Sequence, residues 1–295
     1  MNNYLAFDIG GTHIKYGIVN ENGEIIHDST MDTEAHLGGS FIINKVIEAA
    51  KIVIQNHQIA GVAISTAGQV NIYTGTIVGA GDTIPDYEGL EIKRIVSTAL
   101  QLPVEVSNDV NCVALCEKWK GNHQVENFIT LTIGTGVGGA IIINNELYTG
   151  HTFSAGEWGY MRIEGEPFEK VASISGLIHM AKMFRENRTW TGKEIFALYD
   201  RGDSQMKLAV EKFYRHLAIG ISNLIYIFNP EKVIIGGGIT GRGEQFLQEV
   251  KGDVQKYAHP SIFRNTEIVL AKFSNHSGMI GAAYHFMERQ KSVVH

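Results

Sequence analysis

Asp8, two residues ahead of a Gly10-Gly11-Thr12 turn, is the first point at which this sequence could do chemistry. Gly10 and Gly11 allow backbone angles closed to residues with side chains, and they leave amide N–H groups bare for an oxyanion to approach. A carboxylate at the mouth of such a turn could hold a metal ion with its water shell. Oxyanion donors and a hard-cation ligand in one loop suit a magnesium-bound nucleotide. Taken alone, the stretch would serve equally as a tight hairpin with an exposed aspartate. The device recurs at residues 128–143, Phe-Ile-Thr-Leu-Thr-Ile-Gly-Thr-Gly-Val-Gly-Gly-Ala-Ile-Ile-Ile, where Ile133-Gly134 lines up with Ile9-Gly10. Two such hairpins in separate halves point to a duplicated domain gripping one phosphate chain from both sides. No Gly-x-x-x-x-Gly-Lys-Ser/Thr occurs, so this is not a P-loop protein.

The elements that must position these groups follow from periodicity. An apolar run reaches Asp8, and the chain returns with Ile14, Tyr16 and Ile18 alternating against His13, Lys15 and Gly17, an antiparallel strand. A turn at Asn20-Glu21-Asn22-Gly23 and a strand over 24–30 complete a meander. Ser40 can cap a helix running to about His57, and a strand over 59–64 leads into the loop Ser65-Thr66-Ala67-Gly68. A helix over 91–101 and a strand over 103–107 precede Asn108-Asp109, from which a helix runs through Trp119. Strand, polar tip and helix in that order put a side chain into a cleft above a sheet edge.

After Gly121-Asn122-His123 the meander restarts. A loop-rich stretch over 149–171 follows, then helical patterns around 175–187 and 206–228. The longer one carries an apolar stripe of Leu208, Phe213, Leu217, Ile221, Leu224 and Phe228, stopped by Asn229-Pro230. A strand over 232–235, the loop Gly236-Gly237-Gly238, a helix over 243–257, a strand over 267–271 and a helix over 276–289 finish the chain. The reading is an α/β protein of two related lobes, 1–120 and 121–275, with the C-terminal helix of about 276–295 able to pack back on the first.

Composition agrees with two domains of about 100–150 residues each in a chain of 295. The net charge of −6 and a pI near 6.1 argue against nucleic acid as a partner. The 33 glycines exceed the average usage of about 7% and gather at strand ends, so they mark turns. No apolar run reaches the roughly 20 residues that span a bilayer. The N-terminus enters a strand at once, with no basic segment or cleavage site, so a cytoplasmic protein is expected. Cys112 and Cys116 are the only cysteines. They would share a helix face, but without partner cysteines they read as core residues in a reducing compartment.

The two hairpins, with Ser107-Asn108-Asp109 between them and Ile234-Ile235-Gly236-Gly237-Gly238 after them, resemble the sugar kinase/actin/Hsp70 ATPase superfamily. Within it, the chain resembles the ROK family of sugar kinases and repressors over nearly its whole length, with four motifs in order. The resemblance implies two actin-like, ribonuclease H-like lobes, each a mixed sheet flanked by helices, around an interdomain cleft. It implies transfer of the γ-phosphoryl group of ATP, with Mg2+, to a hexose hydroxyl. The acceptor would be the 6-hydroxyl of a glucose-like, mannose-like or N-acetylated hexose, or of a β-glucoside.

Residue by residue, the resemblance makes Asp109 the base that takes the proton from the sugar, a group the chemistry requires; capping of the following helix is the plainer role and is compatible with it. Gly10, Gly11, Thr12, Gly134, Thr135 and Gly136 fall at phosphate-loop positions, and Gly236, Gly237 and Gly238 at the adenosine segment. Asp8 would orient magnesium, through water. Sugar contacts fall on Gly68, Asp82, Asn108, Glu157, Tyr160 and Glu169. The segment Ser154-Ala155-Gly156-Glu157-Trp158-Gly159-Tyr160-Met161 resembles the family's Gly-Glu-x-Gly-His-Met, with Tyr160 in place of histidine. Most relatives follow it with three cysteines that bind zinc with that histidine; this chain has none of the three, so no zinc site is expected. Apolar packing of Trp158, Tyr160 and Phe168 would hold the loop instead. The rival readings are a sugar-responsive regulator and a sugar-binding protein without catalysis. Repressors of the family carry a helix-turn-helix domain before the first hairpin, which here begins at residue 4. A homodimer is left open.

Overall fold

The computed structural model describes residues 2–81, 83–186 and 188–293 and divides into two compact units. The first comprises residues 1–124, 149–155 and 272–295, the second 125–148 and 156–271. The boundary thus falls at Gln124 rather than at 120, and the 149–155 loop returns to the first unit.

In the first unit β1 (Asn3–Ile9), β2 (His13–Asn20) and β3 (Ile25–Asp32) form an antiparallel meander. β4 (Gly61–Thr66) joins β1 in parallel; after the small hairpin β5 (Gln69–Asn71) and β6 (Thr76–Gly79), β7 (Val104–Asn108) joins β4 in parallel. The sheet order is β3-β2-β1-β4-β7. Both faces are covered, which is why β1 is apolar at almost every position. Leu5, Phe7 and Ile9 pack with Ile42, Ile43 and Val46 of α1 (Gly39–Asn56) and Ile92 and Val96 of α2 (Ile92–Leu100). Tyr4 and Ala6 point the other way, to Cys112 of α3 (Asp109–Lys120) and to Met279, Ala283 and Phe286 of the C-terminal helix (Ser277–Val293). Both cysteines are buried free thiols, and burial pushes their pKa values up, so they are inert core residues.

The second unit repeats the plan. β8 (Phe128–Ile133), β9 (Val137–Ile143) and β10 (Glu146–Leu147) make the meander; past the short ladder β11 (Arg162–Ile163) and β12 (Glu166–Pro167), β13 (Lys232–Gly236) and β14 (Glu267–Leu270) add in parallel. The order β10-β9-β8-β13-β14 matches that of the first sheet, strand for strand and sense for sense. Its helices are α4 (Phe168–Ala172), α5 (Ile174–Phe184), α6 (Gly192–Asp200), α7 (Ser204–Phe228), α8 (Glu244–Tyr257) and α9 (Pro260–Phe263).

Two expectations need correcting here. Leu208 is 56% exposed; the buried stripe of α7 runs through Met206, Val210, Phe213, Leu217, Ile221 and Leu224, because Leu208 stands five positions from Phe213 and so on another face. The helix α6 was not foreseen at all. Among the described residues no helix is long and apolar enough to cross a membrane.

Candidate active site

In the first unit, the parallel strands β1, β4 and β7 end together, with Asp8 beside Ser65 and Thr66 beside Asn108. Asp8, Asn108 and Asp109 therefore gather at the carboxyl edge of the sheet, where open α/β sheets take ligands. The Asp8 carboxylate accepts a hydrogen bond from the Ser65 hydroxyl at 2.7 Å and lies opposite Lys15 of β2. Gly278, in the first turn of the C-terminal helix, lies against it with no room for a side chain. Burial raises the Asp8 pKa above its ordinary value, opposed by the Ser65 hydrogen bond and the Lys15 charge.

A desolvated carboxylate of this kind gains from a hard cation. Among the described residues no group of three or more His, Cys, Asp or Glu side chains could hold a metal ion. A single desolvated carboxylate beside a phosphate turn is a donor set that Mg2+ can use, since it keeps water and phosphate oxygens as its other ligands.

Asn108, not Asp109, caps α3. Its Oδ1 accepts from the N–H groups of Val110 and Asn111 at 2.9 and 3.0 Å. Its amide nitrogen donates to the Gly68 carbonyl and to Asp109 Oδ1, both at 3.0 Å. The hydrogen-bonding capacity of that amide is thus committed, which ties Asn108 to Gly68, to the start of α3 and to its neighbour Asp109. Asp109 is half-buried in the first turn of the helix, with Oδ1 also accepting from the Val110 N–H at 2.9 Å. Gly68 has φ 92°, which its turn requires and which favours glycine. Asp82 lies outside the described residues.

The hairpin turns do not leave every amide bare. Gly10 N–H donates to the His13 carbonyl at 3.1 Å and Gly134 N–H to the Gly136 carbonyl at 3.0 Å, so each first glycine closes its own turn. Those of Gly11, Thr12, Thr135 and Gly136 make no backbone hydrogen bond among the described residues, and these are the donors an oxyanion would meet.

In the second unit a cavity of about 720 Å³ opens beside the Gly134-Thr135 turn. It is lined by the start of α5 at Ile174, by α6 at Gly192 and Ala197, and by the 3-10 turn Gly238–Arg242. Of the triple glycine only Gly238 lines it. Gly236 is the buried end of β13, and Gly237, at φ 87°, passes so close to Ile133 that an added Cβ would meet its carbonyl oxygen at 2.5 Å. Asp200 and Arg242, which also line the cavity, were missed with α6. The signal existed: Thr191 and Glu194 form a reciprocal capping box ahead of Ile195-Phe196.

Glu157 and Glu169 meet beside the second turn. Glu157 precedes a single 3-10 turn, Trp158–Tyr160, and Glu169 sits in the first turn of α4. A Cβ on Gly136 or Gly159 would lie 3.0 or 3.3 Å from Glu169 Oε2, so both glycines make room for that carboxylate. Burial, and secondarily the charge of Glu169, raises the pKa of Glu157. Trp158 and Phe168 anchor the segment: both are buried, Trp158 over Gly139 with Phe228 at 6.1 Å, and Phe168 over Gly220 of α7. Tyr160 is 63% exposed, against 5% for Trp158 and 0% for Phe168, so the buried part of that packing rests on the latter two.

Known proteins carry this architecture throughout. A β-glucoside kinase of Listeria monocytogenes is 36% identical, the match covering 97% of each chain. A solved protein of the same species, provisionally assigned as an N-acetylmannosamine kinase, superposes with a TM-score of 0.88 at 34% identity, over 98% of this chain and 99% of that one. A ROK family glucokinase of Streptomyces griseus, solved with glucose and AMPPNP, superposes with a TM-score of 0.81 at 26% identity, over 96% and 98%. The model of the ROK family matches residues 4–289, and the chain belongs to that family.

Proposed function

We propose that this chain is an ATP-dependent sugar kinase whose acceptor is the 6-hydroxyl of a hexose, with β-glucosides as the substrate class. The observation that carries the reading is the Asp109 carboxylate, held at the carboxyl edge of the first sheet by the Asn108 amide and the Val110 N–H. Asp109 takes the proton of the sugar hydroxyl as its oxygen bonds to the γ-phosphorus; the bond from that phosphorus to the β,γ-bridging oxygen breaks, and ADP leaves with the electron pair. Glu157 and Glu169 accept hydrogen bonds from sugar hydroxyls and fix which one is presented. The free N–H groups of the two turns receive phosphate oxygens, and the cavity beside Gly134 receives the nucleoside. Asp8 would hold Mg2+ through water, and the ion, when bound, neutralises charge on the phosphate oxygens.

The β-glucoside class is supported by the name of the 36% identical relative. A coupled ADP-release assay over monosaccharides and β-glucosides tests it. The highest kcat/KM should fall on a β-glucoside such as cellobiose or salicin. A preference for free glucose or an N-acetylated hexose would refute the class while leaving the kinase reading intact.

A further inference from the structure

Resting on the kinase reading, we propose that the cavity of the second unit takes the purine of the phosphoryl donor by shape and not by its edge, so that ATP and GTP are interchangeable donors, and that Arg242 is the positioning residue that sets the width of this slot. Gly192 and Ala197 of α6 line it, as do Gly238 and Gly241 of the 3-10 turn. These four present backbone and a single methyl group, surfaces against which a flat base can lie. A Cβ added to Gly238 or Gly241 would meet no heavy atom within 4 Å, so the room beside them belongs to the cavity.

Most of the polar side chains that line the cavity are already hydrogen-bonded to one another or to the neighbouring helices. Thr191 Oγ1 donates to Glu194 Oε2 at 2.8 Å and accepts from the Glu194 N–H at 3.3 Å. Asp200 accepts from Arg242 through both oxygens, at 2.7 and 2.8 Å, and from Gln245 at 3.0 Å. Arg242 gives two further N–H groups to Glu249, at 3.1 and 2.8 Å, so four of its five donors are used. Thr135 belongs to the phosphate turn. Lys193 and Ser175 remain, both exposed; a mobile ammonium suits phosphate better than a base edge. A site that hydrogen-bonds a group rejects analogues lacking it by about 10⁴–10⁵, whereas a pocket that reads shape separates near-isosteres by about 10² or less.

The width of the slot is fixed by one residue. Arg242 extends from the 3-10 turn, forks onto Asp200 at the end of α6, ties Glu249 of α8, and lies 4.5 Å from the Phe196 ring centre and 5.7 Å from that of Tyr199. The Tyr214 hydroxyl donates to Glu249 from α7. The Arg242 side chain is only 9% exposed. Lysine cannot reproduce this planar, four-bonded fork.

The test compares ATP, GTP and ITP as donors at saturating sugar, and ATP and GTP binding by calorimetry without sugar. The kcat/KM values should agree within about tenfold. Arg242→Lys should raise the KM of ATP and GTP by one common factor of about ten or more, with kcat and the sugar KM moved less than about twofold. Asp200→Asn serves where that variant fails to fold, with the same expectation. Gly241→Ala, which meets no protein atom, should weaken both donors with thermal unfolding unchanged. GTP binding more than about 100-fold weaker than ATP, or an Arg242→Lys effect confined to one base, overturns the proposal. Equal binding of both nucleotides with no sugar phosphorylated would overturn the kinase reading and leave the slot standing.

Discussion

In the first glycine hairpin the turn is packed from behind. The Thr33 hydroxyl donates to the Gly10 carbonyl at 2.6 Å, the Thr33 N–H donates to the Thr12 carbonyl at 2.9 Å, and a Cβ on Gly10 would meet the His13 carbonyl oxygen at 3.1 Å. In the second, a Cβ on Gly134 would meet nothing within 4 Å, and the space beside it continues into the 720 Å³ cavity. Two residues before the turn the first hairpin has Asp8 and the second has Thr132. The plan is the same, with the second turn one residue tighter: each first glycine closes its turn, Gly10 onto His13 and Gly134 onto Gly136, each sheet continues with two parallel strands, and the strand orders coincide. On the proposed kinase reading, the duplicated scaffold offers amides to phosphate twice and divides the rest of the work. The first copy would supply the carboxylates that manage a cation and a proton. The second would supply the open volume for a nucleoside and, through Glu157 and Glu169, the groups that hold a sugar.

The largest effect should come from the first copy. Asp109→Asn keeps the shape of the residue and the cap of Asn108 but removes the proton acceptor. Turnover should fall by about 10²–10⁴ while calorimetry shows ATP and sugar still bound. Near-normal turnover would take the proton step away from the first unit. Gly134→Val probes the second copy, where the open space lets the side chain fit the protein but fill the approach to phosphate. It should raise the KM for ATP by about 10–100-fold and leave sugar affinity alone. An unchanged KM in a folded variant would make the second turn a scaffold only.

Smaller effects sharpen the contrast in how the copies hold their side chains. Gly139→Ala would place a methyl group where the Trp158 ring lies, at a cost of about 1–3 kcal/mol read from denaturant unfolding. The same packing predicts that chelation, followed by magnesium alone, restores full activity, and that elemental analysis finds no stoichiometric zinc. Zinc-dependent recovery would show a metal staple that Trp158 and Phe168 do not replace.

The smallest effect concerns Glu157, whose raised pKa means that the folded state holds the proton more tightly than the unfolded chain does. Its contribution to stability is therefore present at low pH and is lost as pH rises from the ordinary value of 4.5 through the raised one. Glu157→Gln should lift the melting temperature by roughly 1–3 °C at pH 7–8, a gain that shrinks as pH falls toward that range, while sugar binding weakens. A lower melting temperature at neutral pH would mean that the charged form is paired in the fold.

Much of this was legible in sequence because glycine and alternation carry it. Gly10-Gly11-Thr12 and Gly134-Thr135-Gly136 stand out by composition, although none of their four glycines takes a positive φ, and β1 beside the first turn is apolar because its sheet is covered on both faces. Other features depend on partners far away along the chain. Nothing near Asn108 announces that its amide is consumed by Gly68 and Asp109, nor near Gly237 that its neighbour is the Ile133 backbone. Trp158, Tyr160 and Phe168 read alike as the aromatics that hold their loop, yet within one 3-10 turn Trp158 is buried and Tyr160 is 63% exposed. The helix α6 was hidden by its short apolar run, although its capping box was in plain sight.

The central claim is that the two copies cooperate in one phosphoryl transfer to a sugar. Phosphorus NMR of the wild-type protein with MgATP and a β-glucoside as sole acceptor tests it most directly. The prediction is a sugar-phosphate resonance, coupled to the two protons on C6, that grows in step with ADP. ADP accompanied by inorganic phosphate alone, or no nucleotide turnover with any sugar in a folded, ATP-binding protein, would contradict it.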